Sequence, residues 1–211
     1  MARLLCELGN VMRYLILSTL LVITGAGCAV EPPRIQPELR VVQAQEAPKP
    51  LPEPLAYQKQ QLSRKEVRVL DDLLPAGARE VLEQTEEIEL LSIAPCGQGY
   101  MPSPERNEPG KFQGCPILKR AVITDTGLRR HLLDALYDGV AKTTGGMGCF
   151  YPRHGIRGTY KGKRVDLVIC FECHIFSGLN GTERIGGSIS KLPEEFFNQV
   201  LQSVGIPVDR K

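Results

Sequence analysis

The chain has 211 residues, 42% hydrophobic and 24% charged, which suits one medium domain or one small domain with tails. Aromatic residues make up 6% and Trp is absent, which argues against a carbohydrate-stacking module or a Trp-rich interface. The formal charge of +2 comes from 26 basic and 24 acidic residues spread along the chain, and without a cationic block to neutralise a run of phosphates nucleic acid is not an expected partner.

The N-terminus reads as an address. Residues 14–24, YLILSTLLVIT, are an apolar run behind Arg13, and Gly25, Ala26 and Gly27 lead directly to Cys28. The run is too short to span a bilayer, and the small residues mark a cleavage site, so residues 1–27 are expected to be a signal peptide. The residues before Cys28 resemble the lipobox of bacterial lipoproteins, with Gly25 where Leu is most frequent. The resemblance implies lipidation (palmitate included) of Cys28 as the mature N-terminus. Met12-Arg13 alone makes a normal short n-region, whereas the segment from Met1 carries Glu7 and Cys6, so initiation at Met12 is expected. Ala29, a residue other than Asp, resembles the outer-membrane sorting signal of Gram-negative lipoproteins. The expected location is therefore the cell envelope, anchored by lipid to the outer membrane and facing the periplasm.

Residues 28–56 hold Pro32, Pro33, Pro37, Pro48, Pro50, Pro52 and Pro54 among Gln, Glu and Ala, with no periodicity. Such a composition buries too little apolar surface to offset its ordering entropy, so a disordered tether is expected. Over 57–85, Ser63-Arg64-Lys65-Glu66 has the form of a capping box. Val67, Leu70, Leu73 and Leu74 then follow at helical spacing until Pro75. A second short helix follows from Ala76 to Gln84, and both are expected to lie peripherally on the domain.

A globular domain is expected over 86–211. Ile88, Leu90 and Ser92 alternate with Glu89, Leu91 and Ile93, and a second strand-like run covers 117–124. Thr124 or Asp125 caps a helix carrying Leu128, Leu132, Leu133, Leu136 and Val140. Then come a strand over 156–160, a Lys161-Gly162 turn, one long strand over 164–176, an Asn180-Gly181 turn and a return strand over 183–189. Pro193 opens a last helix with Phe196, Phe197, Val200, Leu201 and Val204 on one stripe. The order β-β-α-β-β-β-α predicts an α+β fold, an antiparallel sheet with helices packed on one face.

Five of the seven cysteines remain once Cys6 leaves with the signal and Cys28 carries lipid. In an oxidising compartment disulfides are the default. Cys96 and Cys115 flank one loop, and bridging them would stabilise the fold by about 3 kcal/mol in the chain-entropy model. Cys149 has Cys173 as its expected partner and Cys170 as the alternative.

The run Cys170-Phe171-Glu172-Cys173-His174 is the attachment motif of a c-type haem. Read as continuous strand, it places the two cysteine α-carbons about 10 Å apart, beyond the roughly 7 Å a disulfide tolerates. The expected cofactor is therefore none. Haem, with Met101, Met147, His131 or His154 as nominal axial ligands, and zinc, held by Cys149, Cys170, Cys173 and His154, are the alternatives. Folding the hairpin about Lys161-Gly162 converges Cys149, Arg153, His154, Cys170, Glu172, Cys173 and His174 at one end of the sheet. There Arg153 is expected to pair with Glu172. No orienting third group or oxyanion hole accompanies a Cys-His pair, so no catalytic residue is assigned.

The stretches CFYPRHGI, GTYKGKRVDLV and ICFEC resemble a family of small exported bacterial proteins, many of them predicted lipoproteins, with no established activity. That family carries Cys-Phe-x-Pro-Arg-His-Gly followed by Ile-Cys-Phe-x-Cys. The resemblance is specific in those motifs and looser over about 86–208, including LLDALYDGV and FNQVLQSVGIP. It implies that Cys149, Arg153, His154, Cys170 and Cys173 are characteristic positions. A His after the last Cys is not part of the pattern, and Cys96 and Cys115 are particular to this chain. The sequence thus reads as a lipid-anchored binding or structural module with an envelope protein as candidate partner. The alternative is an envelope enzyme or a redox or metal protein using the cysteine cluster.

Overall fold

The computed structural model describes residues 55–96, 103 and 106–206. The expected signal peptide, Cys28, the tether up to residue 54 and Met101 lie outside the described residues. Among the described residues no helix is long and apolar enough to cross a membrane.

Among the described residues, four helices and a seven-stranded antiparallel sheet make a mixed α+β fold. Helix α1 (Arg64–Leu73) starts behind Ser63, whose hydroxyl accepts from Glu66 N–H while the Glu66 carboxylate accepts from Ser63 N–H. Pro75 ends it, and α2 (Ala76–Gln84) follows. Strand β1 (Ile88–Ile93) precedes a short hairpin of β2 (Lys111–Phe112) and β3 (Cys115–Ile123). The hairpin turns at Gln113 and Gly114, both at positive φ, as a two-residue turn matched to strand twist requires. Helix α3 (Thr126–Ala141) is capped by Asp125, whose carboxylate accepts from Leu128 N–H at 2.7 Å. Strands β4 (His154–Tyr160), β5 (Lys163–Cys170), β6 (Ile175–Asn180) and β7 (Glu183–Ser188) form a meander, and α4 (Glu194–Ser203) closes the described chain.

The spatial order is β2-β3-β1-β4-β5-β6-β7. Two features depart from the expected order: β2 is an added short strand, and the run expected as one strand over 164–176 is two, so the meander has four strands instead of three. Because directly paired residues share a face, the register fixes both sides of the sheet. Ile88, Leu90, Ile156, Val165, Leu167 and Ile169 point into the main core. All four helices pack on that face. Leu70 and Leu74 at the end of α1, and Ala78, Val81 and Leu82 of α2, are buried there, so both helices lay their apolar stripes on the domain's own core.

The opposite face carries a smaller cluster of Leu91, Ile93, Phe112, Cys115 and Val168, with Cys96, Ile117 and Phe150 packed against it. Phe112 lies so close over Gly155 that a β-carbon there would sit 2.7 Å from its ring. The Cys96–Cys115 disulfide, with α-carbons 4.4 Å apart, ties the two ends of the loop at this edge.

Candidate functional site

Strand β5 ends at Cys170, and β6 begins at Ile175, its direct register partner. Residues 171–174 form a tight turn closed by His174 N–H to Phe171 O at 3.3 Å, with His174 at φ +56°. The apolar alternation runs on through this turn because Phe171 is itself a core residue. Its ring enters the helix-covered side and meets Phe197 at 5.4 Å and His154 at 5.1 Å between centroids. The continuous-strand expectation is therefore corrected, and with it the separation of about 10 Å between Cys170 and Cys173. The turn folds Cys173 back so that its N–H donates to Cys170 Sγ at 3.1 Å.

Cys149 reaches the same place from the loop after α3. Met147 N–H donates to Cys173 O at 2.9 Å, and Gly146 packs so tightly on Ile175 that a β-carbon would sit 2.6 Å from its Cγ1. Cys149 Sγ then lies 3.1 Å from Cys173 Sγ, a thiol contact rather than a bond, and Cys149, Cys170 and Cys173 are all free cysteines in the structure. Residues 144–149 are exposed, whereas Cys170 and Cys173 are each 1% exposed. The contact with Cys173 pushes the Cys149 thiol above its ordinary range, and burial does the same to Cys173. Cys173 thus contacts both of the others, the exposed Cys149 through its sulfur and the buried Cys170 through its backbone N–H.

His154 does not join them. As the first residue of β4 it pairs with Ile169 and so faces the helices, while Cys170 faces the other way. Its Nε2 is 2.8 Å from Asn198 Oδ1, and the rings of Phe171 and Phe197 pack edge-on against it. Burial lowers its pKa to about 4, against the opposing pull of the Asn198 hydrogen bond. The single cluster expected from the sequence is consequently two sites back to back, and the four ligands considered for zinc do not converge. Among the described residues no group of three His, Cys, Asp or Glu is placed to hold a metal ion.

The flanking positions fall as follows. Arg153 Nε lies 3.9 Å from the Glu172 carboxylate, and Arg153 O accepts from Ile93 N–H at 3.0 Å, extending the β1 pairing past His154. His131 lies partly exposed on α3, Met147 is exposed on the Cys149 loop, and His174 sits in the turn.

Sequence reasoning missed Asp166, which is 1% exposed on the opposite face of β5. It accepts from Arg157 Nε at 2.7 Å and Nη2 at 3.0 Å, Asn107 Nδ2 at 3.0 Å and Gln113 Nε2 at 2.9 Å. The Arg157 guanidinium also stacks 4.9 Å from the Phe112 ring centroid. This knot fastens the loop before β3 to the sheet. Its only sequence signal is one Asp inside the apolar run Val165-Asp166-Leu167-Val168-Ile169. A separate cleft of about 770 Å³ opens between α1, α2 and α3, lined by Arg79, Arg129, Asp134 and Tyr137 among others, with none of the described cysteines in its wall.

No family model, no curated protein and no solved structure matches this chain.

Proposed function

We propose that the protein is an exported, lipid-anchored module of the cell envelope whose globular domain is a disulfide-stapled scaffold for binding an envelope partner. The observation that carries this reading is the 3.1 Å contact between Cys149 and Cys173, on a domain that also holds the Cys96–Cys115 disulfide. Two sulfur pairs tying loops to one sheet stabilise a fold where thiols are oxidised and contribute little where they are kept reduced. The apolar run over 14–24, Cys28 behind it and the Pro-rich stretch that follows supply the export route, anchor and spacer in the same reading.

Full-length chain expressed in a bacterium tests it. The expected outcome is membrane fractionation with lipid mass on Cys28, lost on Cys28→Ala, and a domain containing two disulfides and one free thiol. A chain recovered in the cytosol with every thiol reduced would overturn the proposal.

A further inference from the structure

We propose that Cys149, Cys173 and Cys170 form a thiol–disulfide exchange centre, in which a Cys149–Cys173 disulfide passes to Cys170–Cys173 and frees Cys149 to attack an accessible disulfide outside the molecule. The inference rests on the stapled reading above, since it needs one disulfide and one thiol among three sulfurs.

Cys173 is the shared partner. Its Sγ touches Cys149 Sγ at 3.1 Å, and Cys170 Sγ accepts its backbone N–H at 3.1 Å. The two flanking sulfurs differ in reach. Cys170 is buried and held at the end of β5 by its pairing with Ile175, whereas Cys149 lies on an exposed loop of small residues, Thr143, Thr144, Gly145, Gly146 and Gly148. An incoming molecule can therefore meet Cys149 alone, and Cys170 can act only on Cys173. A static staple needs just two of these cysteines, and the turn at 171–174 brings the third, Cys170, within 3.1 Å of the Cys173 backbone nitrogen.

Exchange requires a thiolate to attack one sulfur of a disulfide while the other sulfur leaves. Cys170 loses its proton to solvent and attacks Cys173 Sγ. The Cys170–Cys173 bond forms, the Cys173–Cys149 bond breaks, and Cys149 leaves with the electron pair as thiolate. Cys149 then attacks one sulfur of the external disulfide, forming a mixed disulfide, and the displaced sulfur leaves as thiolate and takes up a proton. The number of disulfides is conserved and no oxidant or reductant is consumed.

Native, oxidised full-length protein is treated with iodoacetamide, or with oxidised glutathione as the disulfide probe, and its bonds are mapped by non-reducing digestion. Label accumulating on Cys149 together with a Cys170–Cys173 linkage, and a glutathione adduct on Cys149, are expected. Cys170→Ser and Cys170→Ala should abolish both while the Cys149–Cys173 and Cys96–Cys115 bonds persist, the latter reporting that the variants fold. Label confined to Cys170 after denaturation, with no adduct on Cys149, would overturn exchange and leave the staple standing. Three free thiols at Cys149, Cys170 and Cys173 before any treatment would overturn the staple and the exchange together.

Discussion

Asp166 and His154 occupy opposite faces of neighbouring strands and are buried on opposite terms. Asp166 is ringed by donors, with the Arg157 guanidinium bidentate on its carboxylate, and replacing that carboxylate leaves a half-buried Arg157 without its main partner. Asp166→Asn should cost about 3 kcal/mol, read as a lower midpoint in urea unfolding. A change under about 1 kcal/mol would place the pair among surface ion pairs. His154 is held neutral, its pKa lowered to about 4 by burial. An unfolded histidine titrates near 6.5, so between these values the unfolded chain binds the extra proton. Stability should therefore be level above pH ~6.5 and fall as the pH drops towards ~4, by on the order of 3 kcal/mol. Comparing wild type with His154→Gln by denaturant unfolding across that window isolates the effect, because the variant should lack this part of the slope.

Helix α3 shows tertiary packing overriding local propensity. A glycine in a helix interior normally costs about 1 kcal/mol against alanine. At Gly139, however, a β-carbon would lie 2.9 Å from Pro193 Cδ and 3.2 Å from Ile189 Cγ1. Ser190 N–H also donates to Gly139 O at 2.8 Å, fixing the start of α4 against that face. Gly139→Ala should therefore lower the unfolding midpoint, overpacking of 1–3 kcal/mol, roughly, outweighing the propensity gain. Pro193→Ala should partly restore it. A more stable Gly139→Ala would mean that the helices separate without cost. The same gap between local and tertiary logic explains the meander. Alternation from Val165 to Phe176 reads as one strand, yet the chain turns at 171–174 because Phe171 is drawn among Phe197 and His154. No residue within the motif announces that turn, since His174 takes its positive φ without a glycine.

At the scale of the molecule, the folded part begins before its first helix. Tyr57 packs on Phe196 with ring centroids 5.7 Å apart, Gln60 N–H donates to the buried Asp138 carboxylate at 3.0 Å, and Lys59 pairs with Asp134 at 2.7 Å. Leu55 and Leu62 complete an extended strap along α3. A fragment starting at residue 64 should consequently be less stable than one starting at 55, by about 2 kcal/mol of lost apolar burial, measured by thermal unfolding of the two side by side. Equal stability would return the strap to the tether. The arrangement gives the proposed anchor a firm point of attachment, because a pull along the chain meets a packed segment before it meets a helix.

The sequence by itself determined the element types and most of their bounds. Apolar periodicity, the Ser63 and Asp125 caps, the Lys161-Gly162 turn and Pro193 all act over a few residues, where steric and hydrogen-bonding rules are local. It also carried the expectation of an α+β layer, since stripes and alternations must bury their apolar sides somewhere. Tertiary structure alone decided which face each site occupies: that His154 belongs to the helix-covered core, that Cys149 and Cys170 both meet Cys173 at the 171–174 turn, and that Asp166 gathers Arg157, Asn107 and Gln113. Those outcomes depend on strand register and on contacts between residues far apart in sequence, and a one-residue change in register exchanges the two faces of a strand.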